Sequence, residues 1–214
     1  MRIKYLGHAC FMITSDAGTR IITDPYAPNE RLTYGEIKES ADIVTVSHEH
    51  FDHNNVAAVK GNPEVVKGTA KVRGIEFKGI PTYHDDADGS KRGNNTILCF
   101  EVDGVRVCHL GDLGHPLSDK QVAELDKVDI LLVPVGGNYT IDARVANEVC
   151  NKIAPKVIIP MHYQNERCPS FPVSGVDEFL QGKAGVSRLD ASEVEFKPGE
   201  LPVTTQIIVL KSAL

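Results

Sequence analysis

His48, Glu49, His50, Phe51, Asp52 and His53 spell H-x-H-x-D-H, four strong metal ligands within six consecutive residues. In an extended segment His48 and His50 project to the same side, so a single ion can take both imidazoles. Asp52 and His53 are neighbours and face together only where the backbone turns, which presents them to a second ion beside the first. Unrelated histidines rarely gather at ligand spacing, and this sets the stretch apart from four polar residues in a solvated loop. Binding to a metal lowers the pKa of water from about 15.7 to roughly 7, so the chemistry on offer is hydrolysis near neutral pH. Two ions side by side would hold the hydroxide between them and polarise the electrophile as well.

Strands are the elements that must position such a cluster. Residues 41–47 (Ala-Asp-Ile-Val-Thr-Val-Ser) form an apolar, β-branched stretch predicted as a buried strand, with the ligands where it ends and the chain turns toward a helix. The same order, strand then ligand, recurs. Residues 79–83 end at His84, residues 105–111 at Asp112 and residues 156–161 at His162, and these three join the candidates. Asp85, Asp86 and Asp88 compete with His84. Residues 133–135 end in Gly136-Gly137, which offers no ligand but lets backbone approach a site closely.

Around these segments the first half reads as strands at 2–6, 9–14, 20–23, 64–67, 71–83, 96–102 and 105–110, with turns at 16–18 and at Asp103-Gly104. The second half alternates. Helices are predicted at 118–125 (Ser118 as N-cap), 142–153 and 175–180, and strands at 129–133, 156–160, 193–197 and 205–210. No linker divides residues 1–214, so the expectation is one α/β domain of two packed sheets with helices on the outside.

Bulk properties narrow the function. A hydrophobic share of 42% and a charged share of 24% are ordinary for a soluble globular chain. With 23 basic and 29 acidic residues the net charge is −6, which argues against non-specific nucleic-acid binding. No apolar run approaches the roughly 20 residues of a membrane span. The N-terminal residues enter a strand pattern without a signal peptide's apolar core, and five scattered cysteines, none spaced C-x-x-C, read as reduced thiols. The expectation is a cytoplasmic protein acting on a small molecule, with no nucleic-acid or membrane partner.

Gly7-His8-Ala9-Cys10-Phe11, Thr23-Asp24-Pro25, the H-x-H-x-D-H motif, Gly111-Asp112 and Pro160-Met161-His162-Tyr163 follow one another as in the metallo-β-lactamase superfamily, which the whole chain resembles. More narrowly, residues 6–11, 111–115 and 134–140 are similar to small hydrolases related to ascorbate-6-phosphate lactonase. The resemblance implies a four-layer αββα sandwich. It implies that His48, His50 and His84 hold one ion, that Asp52, His53 and His162 hold a second, and that Asp112 bridges them. Zinc is the first choice of metal, with manganese or iron as other occupants. Flavodiiron-type members carry a Glu where this chain has His50, which sets that subgroup apart. An assembly of identical subunits is a further implication.

Beyond the ligands, Asp52 is a candidate to orient the attacking oxygen. His109 and His115 flank Asp112 and are candidates to support it or to donate a proton to the leaving group. His8 is placed near the metals, and Asp24 resembles the family's structural aspartate, which supports the metal loop. Arg167, Tyr163 and Gly137 are candidate substrate contacts, as are Lys91 and Arg92. The function these residues favour is binuclear metal-dependent hydrolysis of a small anionic ester, lactone or phosphodiester. An iron-dependent redox enzyme and a non-catalytic metal-binding protein are the competing readings.

Overall fold

Alternation of buried and outward residues builds the first sheet in the computed structural model, which describes residues 1–214. β1 (Arg2–Gly7) turns Ile3 and Tyr5 inward and Arg2 and Lys4 outward. β2 (Cys10–Thr14) and β3 (Arg20–Thr23) continue it as an antiparallel meander. β4 (Ile43–Thr45) and β5 (Glu64–Val66) then add in parallel.

Hairpins open the second sheet: β6 (Ala70–Val72), β7 (Ile75–Tyr83), β8 (Asn94–Val102) and β9 (Val105–His109) pair antiparallel in sequence. β10 (Ile130–Pro134) and β11 (Val157–Met161) follow in parallel, buried along their whole length as strands covered on both faces must be. β12 (Val186–Arg188) precedes β13 (Glu193–Glu195), which crosses over to pair with β1, and β14 (Gln206–Val209) inserts between β12 and β11. The strand orders are β13-β1-β2-β3-β4-β5 and β12-β14-β11-β10-β9-β8-β7-β6.

The sheets clasp a core in which Ile3, Tyr5 and Phe11 meet Phe77, Phe100 and Leu132. α1 (Asp119–Leu125), α2 (Ala143–Ile153) and α3 (Val176–Leu180) pack on the other face of the second sheet. Ser118 closes a capping box with Gln121, and Asp142 caps the Val145 N–H, so both longer helices begin where their polar caps direct. The first sheet's outer face is covered without an α-helix: Ile22 and Val44 lie under a loop carrying Tyr26, Leu32, Tyr34 and Ile37. The α/β sandwich is as expected, with its helices concentrated on one side. No helix is long and apolar enough to cross a membrane.

Four local expectations need correction. The run 71–83 is two strands, because Arg73 and Gly74 adopt left-handed backbone (φ +50° and +81°) and fold β6 onto β7. After β4 the chain enters a single 3₁₀ turn at Val56–Ala58 in place of a helix. The short, mostly exposed β12 carries no apolar alternation and went unread. Finally, Cys99 and Cys108 stand opposite each other across the β8–β9 hairpin with Cα atoms 4.2 Å apart and are joined as a disulfide; Cys10, Cys150 and Cys168 are free and buried.

Candidate metal centre

Strand ends deliver every candidate ligand to one edge of the sandwich. β4 leads into His48 and His50, whose rings approach to 3.0 Å (Nε2 to Nδ1). β7 leads to His84, β9 through Gly111 to Asp112, and β11 to His162. β4, β9 and β11 are parallel to a neighbour, and the carboxyl ends of such strands are the usual place for a ligand. At Gly111 the chain runs so close to β8 that a Cβ would collide with the Asn95 Oδ1 and the Ser47 side chain, and φ is +55°. His8, Asp24 and His162 also hold positive φ (+56°, +39°, +52°), a conformation L-residues keep only where surrounding contacts impose it.

Three overlapping groups of donor atoms result, one of them Asp24 with His48 and His53; the other two flank Asp112. His48, His50 and His84 offer nitrogens within 4.8 Å of one another, and so do His53, His162 and His8 with the Asp52 carboxylate. Asp112 lies between them. Its Oδ2 is 3.2 Å from His53 Nε2, 3.2 Å from His84 Nε2, 3.3 Å from His162 Nε2 and 3.9 Å from His48 Nε2. Yet His53 Nε2, His162 Nε2 and Asp112 Oδ1 are buried with no hydrogen-bond partner. Buried polar atoms are nearly always satisfied, so orphans converging from several strands mark a place where cations belong. Imidazole and carboxylate donors fit zinc, manganese or iron alike.

Electrostatics agree. Burial, reinforced by the neighbouring His53, pushes His48 down to about 3, and burial with His84 also lowers His50. Both imidazoles are thereby kept neutral, the form that binds metal. Burial alone would raise the Asp112 carboxyl, but His162 and His53 outweigh it and hold the group well below the usual range. His53 goes the other way: burial opposes its charge, yet Asp112 and Asp52 raise it well above the imidazole value. The carboxylates favour positive charge at this point, which a bound cation would also supply.

Buried polar residues fix the candidate ligands. Asp24 accepts from the Ser47 N–H (2.8 Å), the Ser47 hydroxyl (2.5 Å) and His53 Nδ1 (2.9 Å), aiming His53 Nε2 at Asp112. Asn95 Oδ1 accepts from the Asp112 N–H (2.9 Å) while its amide donates to Thr82 Oγ1 (2.8 Å) and the Leu110 carbonyl (3.0 Å). His8 Nε2 lies 3.3 Å from Asp52 Oδ2, and its carbonyl accepts from the His162 N–H (3.0 Å).

The ligand candidates and His8 and Asp24 are therefore brought together; five other candidates are not. His109 is buried, its Nε2 bonded to the Ala9 carbonyl (2.8 Å) and its Nδ1 accepting from the Gly111 N–H, so it holds two chain segments and has no free nitrogen. His115 is turned away, its Nε2 accepting from the Tyr83 N–H and its Nδ1 on the Pro116 carbonyl. Neither lines the cavity. The Arg167 side chain is exposed and off the cavity; its backbone is engaged, the carbonyl by Thr33 and the N–H by Asn165 Oδ1 (2.8 Å). Tyr163 is buried in the core beneath the helices. Gly137 shapes the tight turn that carries Tyr139, which does face the cavity.

That cavity measures about 360 Å³ and opens above His50, Asp52, His84, Asp112 and His162. Arg31, Lys91 and Arg92 reach it from two loops, with Phe51, Tyr139 and Phe171 as aromatic wall. Arg31, Phe171 and Asn95 carried no readable signal, since none sits in a ligand pattern or directly after a predicted strand; Tyr139 lies in the 134–140 segment, of which Gly137 alone is a sequence candidate.

A two-sheet sandwich with histidines and aspartates gathered at one edge defines the metal-dependent hydrolases of the metallo-β-lactamase type. A β-lactamase superfamily domain model matches residues 2–162, and the chain belongs to that superfamily. A UPF0173 metal-dependent hydrolase from Carboxydothermus hydrogenoformans is 32% identical, the match covering 95% of this chain and all of the relative. One from Archaeoglobus fulgidus is 30% identical over 94% of this chain and 97% of its own length. Among solved structures, a candidate zinc-dependent hydrolase of the metallo-β-lactamase superfamily from Thermotoga maritima superposes with a TM-score of 0.80, at 39% identity, covering 98% of this chain and 97% of that one. The protein is a metal-dependent hydrolase.

Proposed function

We propose that the enzyme is binuclear, with zinc as its ion, and hydrolyses a small anionic ester, lactone or phosphodiester. The observation that carries this reading is the Asp112 carboxylate, whose single oxygen lies within 4.0 Å of imidazoles from both groups. A carboxylate shared in this way suits two adjacent ions better than one. Bound there, the ions supply Lewis-acid activation of water and of the scissile group near neutral pH. His48, His50 and His84 would hold one, and Asp52, His53 and His162 the other. Asp52 stays ionised, because His53 and the His8 hydrogen bond overcome the effect of burial, and it faces the cavity ready to orient water or take its proton. With His109 and His115 both turned away, protonation of the leaving group falls to Asp52 or to solvent. A cavity of about 360 Å³ suits a small molecule.

The test is to strip the protein of metal, reload it with zinc, manganese or iron, and assay nitrophenyl esters, bis(4-nitrophenyl) phosphate and several lactones while following oxygen uptake. Zinc-dependent hydrolysis that Asp112→Ala abolishes supports the reading. Oxygen consumption with iron alone, or full activity in Asp112→Ala, contradicts it.

A further inference from the structure

Three cations line the cavity wall, and two of them are free. Lys91 Nζ is taken by Asp86 (2.7 Å). The Arg31 and Arg92 guanidiniums have no carboxylate within 4.0 Å, although the chain as a whole carries six more acidic than basic residues. The acidic groups on the wall are Asp52 and Asp112, both part of the ligand cluster. Each arginine stands on a braced backbone. Asn29 Oδ1 accepts from the N–H groups of Arg31 (2.8 Å) and Leu32 (3.1 Å). Asp85 Oδ2 accepts from those of Lys91 (2.9 Å) and Arg92 (2.7 Å). Arg92 also lies over the Tyr139 ring, 5.4 Å from its centroid, which limits where its planar fork can point.

Unpaired guanidiniums held at a cavity wall are oxyanion receptors, because their forked donors match carboxylate and phosphate oxygens. The bond to be cut must lie on the floor, against His50, Asp52, His84, Asp112 and His162, whereas the arginines approach from the loops at 29–32 and 85–92. We propose that Arg31 and Arg92 form an oxyanion subsite for a carboxylate or phosphate that the substrate carries apart from its scissile bond. Leu32, Phe51 and Phe171 then contact the carbon skeleton between the two ends. A simple phosphodiester has its charge on the reacting group itself, so the subsite favours an ester or lactone bearing a separate anionic tail. The proposal rests on the hydrolase reading above and narrows its substrate.

Two measurements test it independently. In the first, metal-free protein is titrated with succinate and with inorganic phosphate by calorimetry. Wild type should bind at least one of them, more weakly as salt is added, and the tighter of the two names the group. Arg31→Ala and Arg92→Ala should each weaken that binding by about tenfold, the scale of one charge-assisted hydrogen bond, with Arg31→Lys in between. No binding by wild type, or equal binding by the variants, overturns the proposal. In the second, metal-loaded enzyme is assayed on 4-nitrophenyl propanoate and on mono(4-nitrophenyl) succinate, which differ by one carboxylate. Wild type should prefer the succinyl ester, and Arg31→Ala should cut the ratio of the two kcat/KM values about tenfold, through KM. An unchanged ratio overturns the subsite. If loaded wild type cleaves neither ester, the ester reading of the substrate is what fails, and the titration still decides the subsite.

Discussion

Replacing Asn95 with alanine tests whether Asp112 is held in place by a residue that touches neither cavity nor ion. The Asn95 side chain is almost wholly buried and makes three hydrogen bonds, to the Asp112 N–H, the Leu110 carbonyl and Thr82 Oγ1. In Asn95→Ala the Thr82 hydroxyl keeps its bond to the residue-95 carbonyl (3.2 Å), so two backbone groups are orphaned. At about 1–3 kcal/mol for each buried group left unsatisfied, with water entering the small void to soften the loss, the cost is about 2–4 kcal/mol. For a chain of this size that lowers Tm by roughly 4–16 °C, and the comparison belongs in metal-free protein so that metal binding does not mask it. Because the lost bond orients a ligand, zinc affinity should also fall about 10–100-fold by competition with a chelating dye. A metal-free Tm within error of wild type would refute the hydrogen-bond accounting. A lowered Tm with unchanged zinc affinity would refute the claim that Asn95 positions Asp112.

Asp24→Asn keeps the shape of the side chain but sets an amide N–H against donors from Ser47 or His53; zinc affinity should drop about 10–100-fold, and an unaltered competition curve would count against the orienting role. Asp85 gives the pH dependence. Burial alone would raise it, but the N–H groups of Arg92, Ala87, Lys91 and Gly89 hold it at about 2, below the ordinary 3.8. A depressed folded value means this support is complete above about pH 4 and is lost as pH falls through about 2, so amide protection at 86–93 should decline on acidification and be lost at neutral pH in Asp85→Ala. Protection that grows on acidification would contradict this. His115→Ala should leave kcat/KM unaltered within error, since both ring nitrogens are engaged away from the cavity; a large fall in kcat would restore His115 as a proton donor.

What was legible in the sequence is what metal chemistry and strand geometry jointly constrain. Only a few residue types bind divalent ions, and the end of an apolar run marks where a side chain enters a site, so His84, Asp112 and His162 could be read with H-x-H-x-D-H. His109 and His115 flank Asp112 equally well on paper, and only packing separates them. His109 ends β9, where it meets Ala9 in the turn between β1 and β2. Gly114 passes so close to the His84–Asp85 backbone that no side chain fits there, and the next residue swings out to meet Tyr83. Arg31 lies in an irregular loop with no periodicity to read, although that loop both roofs the first sheet and walls the cavity. The Cys99–Cys108 pair depends on the register set by the two-residue turn at Asp103-Gly104, which cysteine spacing alone does not express.

The proposed two-ion centre sharing Asp112 is tested most directly by counting metal. Metal-free wild type titrated with zinc should bind two ions per chain. His50→Ala, which disturbs one group, should retain one tight ion, and Asp112→Ala should weaken both. A single ion at saturation in wild type, or two ions bound with unchanged affinity in Asp112→Ala, would contradict the account.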